Sequence, residues 1–138
     1  MVEAKKNRVL IVDDESSRIA LLTLILSSEY TVYAAKNGQA AIKAAEKHLP
    51  DVILLDVIMP EMDGYAVLAA LKSSERTRSI PVIFITTLAQ ADDEKKGLLL
   101  GAVGYITKPF NSVIIKLYVQ NQIKISNQLH EINHDMMK

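Results

Sequence analysis

The chain has 138 residues, 49% of them hydrophobic, and its sixteen basic and sixteen acidic side chains cancel at neutral pH. That suffices for one core burying roughly two-thirds of the unfolded chain's surface. Zero net charge without a basic stripe argues against direct nucleic-acid binding. The absence of cysteine excludes a disulfide frame, a thiolate nucleophile and a thiolate metal site.

Met1 to Arg8 is polar and the apolar stretch after it runs only from Val9 to Val12, so no signal-peptide core is expected. The longest mostly apolar segment, Ile19 to Leu26, falls short of the roughly 20 residues that span a bilayer. A cytoplasmic domain without membrane contact is the expectation.

In chain order, Arg8 to Val12 reads as a buried strand, β-branched at Val9, Ile11 and Val12. Ser16 or Ser17 would cap a helix through Leu26, with Ile19, Leu22 and Leu26 at helical spacing. Thr31 to Ala35 is a second strand. Asn37-Gly38 turns into an alanine-rich helix that ends near His48, before Leu49-Pro50. Val52 to Leu55 is apolar without alternation, as a strand covered on both faces should be. After the loop Val57 to Met62, Asp63 would cap a helix from Gly64 to Ser73. Val82 to Ile85 is the fourth strand. A fourth helix follows, with Asp92, Asp93 and Glu94 in its first turn, where they complement the helix dipole. Gly101 ends it, Val103 to Ile106 forms a fifth strand, and a fifth helix starts near Ser112 and runs to the C-terminus. Regular strand and helix alternation implies right-handed crossovers and a parallel α/β sheet with helices on both faces.

Four strands end on residues that can do chemistry: Asp13-Asp14, Asp56, Thr86, and Thr107-Lys108-Pro109. In an open parallel sheet these ends share one rim, where ligands bind. Three clustered carboxylates repel, by about 4 kcal/mol for a pair 4 Å apart at an effective dielectric of 20. A hard divalent cation such as Mg²⁺ would compensate, because it takes one or two carboxylates and phosphate oxygens. Asp56 could then serve as nucleophile toward phosphorus. Thr86 would donate a hydrogen bond to a phosphoryl oxygen, and Lys108 would supply positive charge. On carboxylates alone, replacing Asp13 or Asp56 with Asn should stabilise the metal-free fold by on the order of 1 kcal/mol.

Asp13-Asp14, then Asp56-Val57-Ile58-Met59-Pro60 with Asp63-Gly64, then Thr86, then Tyr105 to Phe110, resemble the receiver domain of two-component response regulators. The likeness covers about residues 7 to 120, and the intervals of 30 residues from Asp56 to Thr86 and 22 from Thr86 to Lys108 match the family's. It implies the flavodoxin-like, doubly wound (βα)5 fold with strand order 2-1-3-4-5. It also implies that Asp56 accepts a phosphoryl group, in a Mg²⁺-dependent transfer, from the phosphohistidine of a sensor histidine kinase or phosphotransfer protein. Asp14 would bind Mg²⁺ directly, Asp13 mainly through water, and the Ile58 backbone carbonyl would complete the protein ligands. Lys108 would contact the phosphoryl group, Thr86 would move toward it, and Tyr105 would be the aromatic switch whose ring turns inward. The surface of the fourth helix, fifth strand and fifth helix would change, and the Lys108-Pro109 bond would be cis. Such a domain catalyses only its own phosphorylation and dephosphorylation.

Thr87 replaces the small residue usual in the family, and Ile58 and Leu88 are apolar beside the path of an attacking water, which points to a long-lived phosphoryl group. Val103-Gly104 replaces an often acidic stretch, with no mechanism attached. Singly, each residue has an ordinary reading. Asp13-Asp14 could cap a helix, Thr86 could end a strand, and Tyr105 could be core. A flavin or nucleotide binder on this fold needs a Gly, Ser or Thr-rich phosphate loop where this chain has Asp13-Asp14-Glu15. An aspartyl-phosphate hydrolase of small phosphoesters would carry two Asp separated by one residue after a strand, and no such pair occurs.

Ile115, Tyr118, Gln122, Ile125, Leu129, Ile132 and Met136 alternate steps of three and four, the seam of a coiled coil. The receiver domain is therefore set at residues 1 to 120 and a helical extension at 121 to 138. Two receivers would pair through this extension or through the face of the fourth helix, fifth strand and fifth helix, or the extension would lead to an output domain beyond this chain; its ordinary reading is one amphipathic helix folding back on its own domain. His130 and His134 have the spacing of metal ligands but lack a third partner.

Overall fold

β-Branched runs form the strands, and the computed structural model, which describes residues 6–136, interleaves them with five helices. In order these are β1 (Arg8–Val12), α1 (Ser16–Leu26), β2 (Thr31–Ala35), α2 (Gly38–His48), β3 (Val52–Leu55), α3 (Gly64–Lys72), β4 (Val82–Thr86), α4 (Ala91–Leu99), β5 (Gly104–Thr107) and α5 (Ser112–Met136). All strand pairs are parallel, in the order β2-β1-β3-β4-β5. This is the flavodoxin-like arrangement expected from the sequence.

Successive side chains of a strand point to opposite faces, so the sheet feeds two cores. Leu10, Val12, Ile53, Leu55, Val82 and Phe84 pack with α2 and α3 residues on one face. Val9, Ile11, Val52, Leu54, Ile83 and Ile85 pack with Leu22 and Leu26 of α1 and Ile115, Val119 and Ile123 of α5 on the other. Register fixes the rim: Val12 pairs with Leu55, Leu55 with Phe84 and Thr86 with Thr107. Asp13, Asp56 and Lys108 each follow the last residue of a strand.

The ends of several elements differ from expectation. Neither Ser16 nor Ser17 caps α1: Glu15 occupies that position without a side-chain cap. The Ser16 hydroxyl instead accepts a hydrogen bond from Lys36 Nζ at 2.7 Å, and the Glu15 amide donates to Asp13 Oδ1 at 3.0 Å. β4 extends to Thr86 because its carbonyl accepts from the Lys108 amide at 2.8 Å. β5 starts at Gly104 rather than Val103, and α3 ends at Lys72, one residue early. Asn37 and Asp63 do cap α2 and α3, accepting from the Ala40 and Ala66 amides at 2.8 and 2.9 Å. Gly101, at φ +111°, follows α4, and the Lys108-Pro109 peptide is cis.

α5 is one uninterrupted helix. Its first half buries Ile115, Val119 and Ile123, so the start of the seven-residue seam packs on its own domain. Ile125, Leu129 and Ile132 are about half exposed, and the side chains of His130, His134 and Met136 lie outside those described.

The loop between β3 and α3 is tightly made. The Gly64 amide bonds the Val57 carbonyl at 2.8 Å, and a Cβ at Gly64 would collide with the Asp56 carbonyl oxygen and lie 2.8 Å from the Val57 Cα. Only glycine lets α3 start so close behind Asp56. In the same loop Glu61 sits at φ +69°, while the Met62 amide reaches the Pro60 carbonyl at 2.7 Å. Left-handed backbone costs a residue with a Cβ roughly 1–2 kcal/mol, partly offset by glycine's greater entropy when unfolded. Glu61→Gly should therefore raise stability, by up to about 1 kcal/mol, measured as a higher urea midpoint at unchanged slope.

Candidate functional site

The ends of β1 and β3 are neighbours, so Asp13 and Asp56 meet at the rim, only 2% and 3% exposed. Asp14 is partly exposed at their side. One oxygen of each of the three lies within 4.8 Å of the others'. Carboxylates this buried need partners, and both cations of the site come from elsewhere in the chain. Lys108 Nζ lies 3.0 Å from Asp56 Oδ2 and 3.3 Å from Asp13 Oδ2. Arg18 Nε lies 2.8 Å from Asp13 Oδ2, and its Nη2 lies 3.4 Å from Asp56 Oδ2. The other Asp56 oxygen accepts the Ile58 amide at 3.1 Å, so the residue two positions on is folded back beside the carboxylate.

Burial pushes the Asp13 carboxyl up. The Arg18 hydrogen bond, the Glu15 amide and the charges of Lys108 and Arg18 outweigh burial and hold it below the usual carboxylate range. Arg18 is in turn pushed up, first by its hydrogen bond to Asp13. Two cations thus stand among three carboxylates, and the repulsion inferred from the acids alone is largely offset. The stabilisation expected from Asp13→Asn or Asp56→Asn loses its basis, since either change would leave Lys108 and Arg18 short of a partner.

The donor set still fits a hard cation. Asp14 Oδ1 is buried without a hydrogen-bond partner, its approach to Arg18 Nη2 being 3.6 Å. An orphaned anionic oxygen beside two other carboxylates suits an oxygen-seeking cation. The acidic cluster can therefore hold a metal ion.

Thr86 and Tyr105 are not part of that charge cluster. Thr86 is fully buried and its Oγ1 accepts from the Leu88 amide at 3.4 Å. The Leu88 carbonyl accepts from the Tyr105 hydroxyl at 3.0 Å, so the backbone of Leu88 links the two side chains. The Tyr105 ring is already turned inward, 8% exposed, with Phe84 at 5.9 Å between centroids. Gly97 makes room for it: a Cβ there would lie 3.2 Å from Tyr105 Cδ2. Ile58 is half exposed, Leu88 partly buried and Thr87 exposed.

Arg18 and Leu88's bridging role were missed in the sequence. Arg18 lies in the first turn of α1, three positions after Glu15 and four after Asp14, and that closeness to a run of acids was the available signal. Leu88 acts through its backbone, which side-chain identity does not reveal.

Residues 9–120 match the response regulator receiver domain profile. The chain is 40% identical over 126 residues to response regulator PleD of Caulobacter vibrioides, covering 91% of this chain and 28% of that protein. It is 38% identical over 129 residues to regulatory protein AtoC of Escherichia coli, covering 93% of this chain and again 28% of the relative. Chemotaxis protein CheY4 of Vibrio cholerae superposes with a TM-score of 0.79 at 31% identity, over 84% of this chain and 98% of that one. The chain thus spans little more than a quarter of the length of these two curated relatives. A profile match reaching from the first strand into the fifth helix, with relatives this close in sequence, makes the chain a receiver domain of the two-component response regulator family.

Proposed function

We propose that Asp56 is the phosphoacceptor, taking a phosphoryl group from a phosphohistidine on a sensor histidine kinase or phosphotransfer protein. The observation that carries this is the contact of Lys108 Nζ with both Asp56 and Asp13 at 3.0 and 3.3 Å. It places a fixed positive charge beside a buried carboxylate at the rim of a parallel sheet. In the transfer an Asp56 carboxylate oxygen forms the new O–P bond, the N–P bond breaks, and the imidazole leaves with its electron pair. Asp13, Asp14, Asp56 and the Ile58 carbonyl would hold Mg²⁺, which when bound would supply positive charge for the phosphoryl oxygens. Lys108 follows the transferred charge, and the Thr86 hydroxyl donates to a phosphoryl oxygen.

Leu88 gives this chemistry a route to the surface. Turning the Thr86 hydroxyl toward Asp56 gives up its bond to the Leu88 amide and loosens the loop that Tyr105 holds by the Leu88 carbonyl. The Tyr105 ring is already inside, so its switching consists of a change of partner and packing. The α4–β5–α5 face is the one that changes, and the α5 extension from 121 onward carries the change to a second receiver or an output domain.

Intact mass after incubation with Mg²⁺ and acetyl phosphate should show one added phosphoryl group, and none for Asp56→Asn or with the metal chelated. Labelling that survives Asp56→Asn would place the acceptor elsewhere.

The side chains of Ile58 and Leu88 offer no hydrogen bond to orient an in-line water, so the aspartyl phosphate should persist for minutes or longer. Ile58→Asn should shorten that half-life severalfold. Loss within seconds in the wild type would contradict the assignment.

The Tyr105 hydroxyl is pushed up from its ordinary value, first by burial, then by the neighbouring Tyr65 and the charges of Asp93 and Glu94. The fold therefore favours the protonated phenol. The stability this contributes is complete below the unfolded tyrosine's pKa of about 10 and is lost as pH rises beyond it. In urea melts, the wild type should lose stability above that pH faster than Tyr105→Phe.

A further inference from the structure

Arg18 is the one cation of the described site that phosphoryl capture leaves without a task. It lies in the first turn of α1, where the positive end of the helix disfavours a cation. Its guanidinium nevertheless reaches four acids. Nε lies 2.8 Å from Asp13 Oδ2, Nη2 lies 3.4 Å from Asp56 Oδ2 and 3.6 Å from Asp14 Oδ1, and Nη1 lies 2.8 Å from Glu15 Oε2. The first three are the carboxylates whose oxygens lie within 4.8 Å of one another. A planar head with five donors spans them as a divalent cation would, though it leaves Asp14 Oδ1 without a hydrogen bond.

We propose that Arg18 is a built-in competitor of the divalent cation. Its guanidinium holds the Asp13, Asp14 and Asp56 carboxylates in the metal-free protein and must withdraw before the cation binds. The inference rests on the phosphoacceptor reading given above. Arg18 rather than Lys108 is the side chain that leaves. Its side chain is 27% exposed against 10% for Lys108, and its fourth partner, Glu15, is 57% exposed on the outer side of the cluster. Glu15 keeps a charge partner for the withdrawn guanidinium near the solvent, whereas the charge partners of Lys108 among the described residues are the two buried carboxylates. Arg18 thereby sets how much cation is needed before Asp56 becomes reactive.

The test is calorimetric titration of Mg²⁺ into the metal-free wild type, Arg18→Ala and Arg18→Lys, with melting curves in chelator and in saturating Mg²⁺. Competition of this kind predicts Mg²⁺ binding tighter by about fivefold or more in Arg18→Ala, the lower range of typical coupling between ligands. Arg18→Lys, which keeps the charge, should stay nearer the wild type. In chelator Arg18→Ala should melt below the wild type, and its rise on adding Mg²⁺ should be larger. Equal or weaker Mg²⁺ binding by Arg18→Ala, with Asp56 still labelled by acetyl phosphate, overturns the competitor role and leaves the phosphoacceptor reading standing. Absence of Mg²⁺ binding and of labelling in every form overturns both. An Arg18→Lys protein that tracks Arg18→Ala overturns competition by charge.

Discussion

Two carboxylates are buried side by side because β1 and β3 are neighbours in parallel register, Val12 against Leu55, and each strand ends one residue before an aspartate. Unpaired, such charges would be driven to protonate or would pull the strand ends apart. Lys108, arriving from the far edge of the sheet at the end of β5, sits between them. Positions 13, 56 and 108 are distant in sequence, so their convergence requires the whole sheet to be assembled in order. The charged site therefore depends on the fold, and the fold at this rim depends on the site's charge balance.

The backbone around Asp56 shows the same interdependence. Gly64 lets α3 begin directly behind it, Asp63 caps that helix, and the Ile58 amide fixes one carboxylate oxygen. On the other side of the site, Leu88 joins Thr86 to Tyr105 through its own amide and carbonyl. Small backbone contacts thus do the positioning, while the two cores hold the sheet that presents them.

The fold was legible because its signals are local and repeated: five β-branched runs, helix caps at Asn37 and Asp63, and a stop at Leu49-Pro50. The acids and Lys108 were legible for a related reason, since a parallel sheet sends every strand end to one rim. Arg18 was not, because a basic residue in a helix usually faces solvent; Asp13, Asp14 and Glu15 are close to it in sequence, but Asp56 becomes its neighbour only in three dimensions. The inward ring of Tyr105 agrees with its ordinary reading as core, but what makes room for it did not show, since that space is left by Gly97 on another element. Ser16 and Ser17 misled as caps because Lys36, twenty residues away from Ser16, takes the hydroxyl that local pattern assigned to the helix end.

α5 adds a mechanical property. Among the described side chains its last one buried in the core is Ile123, and the helix continues without a break through Met136. At 1.5 Å per residue the part beyond Ile123 is about 20 Å long, so a tilt of about 10° at its root would sweep its tip through about 3 Å. The helix is a lever whose short arm rests on the β5 side of the sheet. Displacements too small to disturb the core become, at its far end, comparable to the spacing that decides whether two helices interlock.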